Sequence, residues 1–512
     1  MLRHYRAKHE NTQPRATNQG SRKQALDEAL EDFTVKDSQP FTVVDDSGFR
    51  VFVAKLDPTY TIPSTNTVKA TVEKRHVEEK EKAKAELLIT DSVSLTADMW
   101  TSINIDAYLA VTCHFVGADE QLSTTLLGVH PFPRSHTAEN IAAVVQELMV
   151  EWGIGGKVRC LVTDAAQNMT ATARILKVRH AVCIAHALNL IVKKSIDATP
   201  GLDDIRSRVR RTVAYFKSST TAKECLQQVQ VQMGRPVMKL MQEVETWWNS
   251  TFEMLQQIYD QREAVAAALA TLSTDLAPLT ANEYEAMAQC IKMLSPFQAA
   301  AVELSQERKV SASKVAPLIR MLKHTLNQLL SGATIDMAKQ LGQNLDQIVT
   351  EKLSGVEMTS LNSMATLLDP RFKTHGFHSP NNCDTAVKRL KGECAALMKA
   401  TTPEPSTSVA PQPAPAEAST GINLWKLLDN DAEDARKWKN ATADAIVEVQ
   451  QYLPAPPLGR AEDPLKYWAQ HKTLYPNLYH LAKWFLVTPA SSVPCERVFS
   501  KAGEIVSKKE TV

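Results

Sequence analysis

Residues 158–192 read VRCLVTDAAQNMTATARILKVRHAVCIAHALNLIV, and this stretch decides the fold. It opens with an apolar run, Val158 to Val162, too short for a helix and rich in β-branched residues, so a buried strand is expected. The run stops at Thr163-Asp164, and small helix formers follow from Ala165 to Leu176. Open α/β sheets place their chemistry outside the carboxyl ends of their strands, where Asp164 falls. An Asp there also serves as a helix N-cap, and the residues alone leave both readings open.

Working outward, three β-rich segments precede this strand. SVSLTADMW (Ser92–Trp100) carries apolar residues leading to Asp98, and AYLAVTCHFV (Ala107–Val116) and STTLLGVHPF (Ser123–Phe132) follow it. Thr137 caps a helix in which Ile141, Val144, Val145, Leu148, Met149 and Trp152 recur at helical spacing, and Gly153, Gly155 and Gly156 end it. The order β-β-β-α-β-α, with one acid on the first strand and another ending the fourth, is a ribonuclease H-like plan. If those strands are neighbours, Asp98 and Asp164 converge at one sheet edge. Two close carboxylates repel unless a cation lies between them, so the pair reads as a Mg²⁺ site. A metal held there and on a phosphate oxygen activates water or a hydroxyl and stabilises the leaving oxygen, which suits phosphoryl transfer.

The totals bound the rest. A chain of 512 residues exceeds one ordinary core. Its 44% hydrophobic and 22% charged residues are those of a globular protein. No apolar run reaches membrane-spanning length, and the N-terminus shows no signal-peptide core. The eight cysteines follow no repeated spacing and fit reduced thiols better than a disulfide framework. Net charge is +1, so any DNA binding must come from local patches. One such patch is N-terminal, where Arg3, Arg6, Lys8, Arg15, Arg22 and Lys23 stand against Glu10; a solvated basic tail is the competing reading. Within it His4 and His9 have a zinc-finger histidine spacing, but no cysteine precedes Cys113 to complete a zinc site.

Residues 22–36 suggest a short helix, SQPFTVVDDSGFRVFVAKLDPTYTIPS (Ser38–Ser64) reads as turn-rich, and Val68–Leu88 as a charged helix. From about Leu202 to Met398 the pattern is helical, including VMKLMQEVETWWNSTFEMLQQI (Val237–Ile258), whose Met and Leu stripes are core. Ala400–Thr420 is proline-rich and apolar-poor, a linker or disordered insertion. DPLKYWAQHKTLYPNLYHLAKWFLVT (Asp463–Thr488) has a large aromatic face that calls for docking against the main body or a second subunit. Glu496, after Pro494, falls in the first turn of a final helix, where the dipole favours an acid in any case.

In that order TADMWTS, LVTDAAQNM, CIAHALNLIV, ETWWNST, ATLLDPRFK, DPLKYW and PASSVPCERVFSKAG resemble the hAT superfamily of DNA transposases, in its BED zinc-finger branch. The resemblance covers almost the whole chain. It implies an α/β ribonuclease H-like core interrupted by a large all-helical insertion, with a C-terminal helical dimerisation region. The expected divisions are 1–24 (BED-finger remnant and basic tail), 25–90 (helical DNA-binding or linker region), 91–200 (first part of the core), 201–399 (insertion), 400–420 (linker) and 421–512 (end of the insertion, last core helix and dimerisation region). The family's metal-binding acids fall on Asp98, Asp164 and Glu496, and its C-x-x-H element on Cys183 and His186, for which burial against the sheet edge competes with contact to DNA. Trp248 matches the tryptophan that supports a flipped base, with core packing the competing account.

Three departures bear on function. Trp247 stands where the family has Arg, so an indole replaces a guanidinium able to grip phosphate. Only the histidine half of the finger, His4 and His9, is present, so Zn²⁺ is expected only with a further finger half. The chain stops at SKKETV where relatives continue through an apolar helix, from which weakened or altered dimerisation is expected. The favoured expectation is a transposase-derived nuclear DNA-binding protein that pairs with itself or a related hAT/BED protein and regulates transcription or chromatin without efficient cutting. The alternative is an active cut-and-paste transposase using a Mg²⁺-dependent Asp-Asp-Glu triad.

Overall fold

The computed structural model describes residues 19–102, 105–133, 135–244, 248–401 and 441–509. It divides into two compact units, Met1–Ile89 with Arg497–Val512, and Thr90–Glu496. In the first, α1 (Gln19–Lys36), a 3-10 turn (Phe41–Asp45), α2 (Ser47–Leu56) and α3 (Thr65–Ile89) surround a small core. That core is Leu30, Val43, Val44 and Val68, with Phe33 stacked on Phe49. Helix α2 corrects the turn-rich reading of Ser38–Ser64: between Pro40 and Pro58 lies a proline-free run long enough for about three turns.

The second unit begins with β1 (Val93–Thr101), β2 (Ala107–Val116) and β3 (Leu122–Pro131), followed by α4 (Ala138–Glu151), β4 (Val158–Thr163), α5 (Gln167–Ile175) and β5 (Arg179–Val182). The sheet order is β3-β2-β1-β4-β5. β1 and β2, and β2 and β3, pair antiparallel; β4 lies parallel to both β1 and β5. The four-residue β5 is too short for its alternation to show in the sequence. On β1 the period of two sets Val93, Leu95 and Ala97 on one face and Ser94, Thr96 and Asp98 on the other. The second face is internally polar. Thr96 bonds Thr112, Thr112 lies 3.0 Å from His114 Nε2, and His114 Nδ1 lies 3.0 Å from Thr124 Oγ1. The Ser94 hydroxyl meets that of Thr488 at 2.7 Å, so the C-terminal segment covers this face.

A helical body follows: α6 (Ile184–Asp197), α7 (Pro200–Ser218), α8 (Thr220–Gln232), α9 (Trp248–Asp260), α10 (Arg262–Thr271), α11 (Ala281–Leu304), α12 (Val315–Gly332) and α13 (Asp336–Leu353). Their apolar stripes form one core around Leu188, Val213, Met254, Met287 and Leu345. The helical reading of Val237–Ile258 is right for Trp248–Ile258 and wrong for Val237–Val244. Residues Val237–Val244 form neither helix nor strand. Side chains take over their peptide groups instead: Gln230 bonds both N and O of Met238, Gln257 bonds Lys239 O and Met241 N, and Ser250 bonds both N and O of Val244. Hydrogen bonds to flanking helices thus override the local pattern.

The last group is α14 (Ser360–Leu368), α15 (Pro380–Thr401), α16 (Ala441–Tyr452), α17 (Pro464–His471), α18 (Pro476–Leu486) and α19 (Val493–Lys509). The aromatic face of Asp463–Thr488 docks within the main body: Trp468, Tyr475 and Phe485 share a core with Leu367, Leu368, Cys160 and Val162. LDPRFK (Leu368–Lys373) holds this region together. Asp369 takes a forked pair of bonds from Arg371, Lys373 Nζ donates to Tyr452 O (2.8 Å) and Ala455 O (2.7 Å), and Trp468 Nε1 donates to Leu368 O. Residues 400–420, read as linker, lie almost wholly outside the described residues.

Candidate functional site

The parallel register of β1 and β4 matches Thr96 with Val162. Asp98 lies two residues past Thr96, and Asp164 two past Val162, so the acids are brought to one end of neighbouring strands. Asp98 Oδ1 accepts from the Met99 N–H at 2.9 Å. Burial pushes its carboxyl up to about 7; the Met99 bond opposes this, and the charge of Asp164 adds to it. Asp164 Oδ1 accepts from Ala166 N at 3.1 Å and its carbonyl from the Thr163 hydroxyl at 2.9 Å. Thr163 Oγ1 also lies 2.9 Å from His180 Nε2. The N-cap of α5 is Ala166 rather than Asp164, so the capping reading reduces to one bond within the turn.

Glu496 reaches this edge through its neighbours. Cys495 Sγ lies 3.2 Å from Thr96 Oγ1 and 3.4 Å from Thr96 O, so the start of α19 sits on β1 two residues before Asp98. Upstream, Ser492 N donates to Cys183 Sγ at 3.3 Å and Ile184 N to Ala490 O at 2.9 Å, which ties the segment to α6. Glu496 is close enough for its charge to add to the upward push that burial gives the Cys183 thiol, to about 11. Among the described residues, however, no three His, Cys, Asp or Glu side chains are gathered tightly enough to hold one ion. Carboxylate oxygens are hard donors, and Mg²⁺ often binds through one or two of them while keeping several waters. The carboxylates of Asp98 and Asp164 are thus donors of the kind Mg²⁺ takes, and Glu496 follows the Cys495 that seats the last helix on β1.

Cys183 is fully buried and is the N-cap of α6; its thiol accepts from the backbone N–H of His186 and of Ser492. The C-x-x-H spacing thus serves as a cap, with the imidazole of His186 half-buried beside it. Trp248 opens α9 at 3% exposure, its backbone N–H donating to Asn189 Oδ1 at 3.0 Å and its ring edge-on to Phe252. It lines a polar cleft of about 220 Å³ with Lys193, Arg206, Arg210 and Thr251. The sequence reading did not single out Arg206 and Arg210, although their spacing of four places both on one face of α7. Arg206 pairs with Asp203 at 2.7 Å, and Arg210 with the buried Glu243. Trp247, His4, His9, Arg3, Arg6 and Lys8 lie outside the described residues.

Residues 96–188 match the ZBED1 RNase-like domain, 181–293 the ZBED1 RNase-like helical domain and 448–511 the hAT family C-terminal dimerisation region. The chain belongs to the hAT superfamily, in its BED-type branch. Human zinc finger BED domain-containing protein 4 is 26% identical over 91% of this chain and 40% of its own length. Human zinc finger BED domain-containing protein 6 is 24% identical over 93% of the chain and 52% of its own length. The putative AC transposase of Zea mays is 24% identical over 91% and 60%. This hAT chain thus spans about half the length of the curated relatives it matches. No described helix is long and apolar enough to cross a membrane.

Proposed function

We propose that this hAT chain is a transposase-derived nuclear DNA-binding protein that dimerises through its C-terminal region and regulates transcription or chromatin without efficient DNA cutting. In this reading the five-stranded sheet is a ribonuclease H-like core, and the helical body is an insertion into it. The observation that carries the proposal is the residue at position 247. Asp98 and Asp164 lie at one end of neighbouring strands, while Trp247 stands where the family has the Arg that grips phosphate, and this replacement is what favours binding over cutting. Asp98 and Asp164 would hold Mg²⁺, with Glu496 as the third acid. A bound Mg²⁺ would supply charge neutralisation of a phosphate and activation of water. The chain's own part is to hold the two carboxylates in register and, through Met99 and Ala166, to orient them.

The adjacency of Asp98 and Asp164 favours a second reading, retained Mg²⁺-dependent transposition. A nicking assay on supercoiled and short duplex DNA with Mg²⁺ or Mn²⁺, run beside a mobility-shift assay, separates the two. DNA retention without nicking supports the regulatory role. Metal-dependent nicking that disappears in Asp164→Asn establishes the transposase, and absence of both binding and nicking refutes both readings.

A further inference from the structure

The segment Val237–Val244 exposes apolar side chains at a density unusual for a loop. Val237, Met238, Met241 and Val244 are 51%, 41%, 46% and 56% exposed, and Val231 and Met233 just before them are 64% and 43% exposed. Loops of this composition normally turn such groups inward. Here the backbone is pinned by the amides of Gln230 and Gln257, by the Ser250 hydroxyl, and by Arg235, which bonds Asp260 O and Glu263. The apolar surface is therefore held outward by a rigid support, at the cost of exposing it to water. Preorganised apolar surface of this kind marks interaction sites.

Beside the segment lies a hollow of about 470 Å³, floored by Phe216, Leu226, Leu240 and Met241 and rimmed by Lys217, Lys223 and Lys239. No acid lines it. It meets a second hollow of about 470 Å³ at Gln227, where Val231, Val237, further glutamines and one acid, Glu224, continue the wall along α8. The chemistry is aliphatic and thioether surface, amides able to bond a peptide, and a cluster of three cations at one end. Methionine-rich floors adapt to varied side chains. Single-stranded nucleic acid would instead call for exposed rings to stack its bases, and among the described lining residues the ring, Phe216, is buried.

We propose that this groove is a docking site for an acidic amphipathic peptide of a partner protein, with apolar side chains in the two hollows and carboxylates on Lys217, Lys223 and Lys239. Its partner chemistry is independent of the acid edge, so it stands whether or not that edge binds metal.

The test is selection of a random peptide library displayed on phage against the full chain, with subtraction on the Lys223→Glu/Lys239→Glu variant. Circular dichroism melting verifies that the variant is folded; Lys217→Glu is the substitute pair member if it is not. The expected result is enrichment of peptides that combine Asp or Glu with Leu, Ile, Met or Phe. Their fluorescence anisotropy should show binding weakened about tenfold or more by the charge reversal. Absence of peptides surviving subtraction, enrichment of basic peptides, or displacement of the selected peptides by oligothymidylate would each overturn the proposal. So would sedimentation showing that Met241→Glu turns a dimer into a monomer, because the groove would then be covered by a second copy.

Discussion

Asp98 on β1 and Asp164, one residue past the end of the parallel neighbour β4, each lie two residues beyond the registered pair Thr96 and Val162. The relationship is set by backbone hydrogen bonding, so it persists whatever the side chains do. It puts two carboxylates at one sheet edge, and the proton affinity of Asp98 is raised at a cost, chiefly by burial and further by the charge of Asp164.

That cost has a sign. The Asp98 carboxyl keeps its proton up to about 7 in the folded chain, against an ordinary value of 3.8. Folding therefore takes up a proton between those values, and stability falls as pH rises through them. Asp98→Asn removes the charge, so its melting temperature should exceed that of the parent at pH 8 and approach it at pH 4. Each tenfold change in proton affinity corresponds to about 1.4 kcal/mol, so a gain of a few kcal/mol is the upper bound. Mg²⁺ should narrow the gap at pH 8 by stabilising the parent alone; an unchanged parent melting curve in millimolar Mg²⁺ argues against a metal at the pair.

His114 works in the opposite direction. Burial lowers its imidazole to about 3, and its two nitrogens meet hydroxyls of Thr112 and Thr124. The unfolded chain takes up this proton near 6.5 while the folded chain resists it, so stability is lost as pH falls from that value towards 3. His114→Gln should flatten this acid limb in urea titrations at successive pH values, at some expense in stability at pH 7.

Trp248→Ala should destabilise the chain by ~3–5 kcal/mol, because a buried ring leaves a cavity. Loss of DNA binding in that variant would then report unfolding. Trp248→Phe keeps most of the packing. If it melts within a few degrees of the parent yet binds DNA markedly less tightly, the indole has a role beyond the core; if binding follows stability, it has none.

Lys373 is 1% exposed, with its ammonium on the carbonyls of Tyr452 and Ala455 and over the Tyr452 ring. Lys373→Met keeps the length of the side chain but takes the donor from the buried carbonyl of Tyr452 and the part-buried one of Ala455. A loss on the order of 3 kcal/mol is expected, together with earlier proteolysis of residues 441–462. Equal protease resistance in parent and variant would remove Lys373 from its role as the tie to this segment.

Much was legible in the sequence because the signals are local. The first four strands and the helix between the third and fourth follow from alternation, β-branched content and the Thr137 cap, which here accepts from Asn140 N. The seven motifs in order pointed to the hAT superfamily. Where local signals conflict with non-local bonding, the sequence misleads. Val237–Val244 has helical spacing, yet three side chains from α8 and α9 take its peptide groups. Ser47–Leu56 reads as turns because of the prolines and glycine around it, yet forms a helix.

The sequence by itself determined which side chains share a strand face, because a period of two is a property of the extended chain. It placed Ser94, Thr96 and Asp98 together, and it placed Asp164 at the end of a buried run. Only the tertiary structure decided that β4 lies parallel beside β1, and that the thiols of Cys183 and Cys495 seat the start of the last helix on the same edge. Those contacts join residues more than 300 positions apart. No local preference encodes such a pairing; it arises because burying the polar face of β1 requires hydroxyl and thiol partners, and the C-terminal segment supplies them.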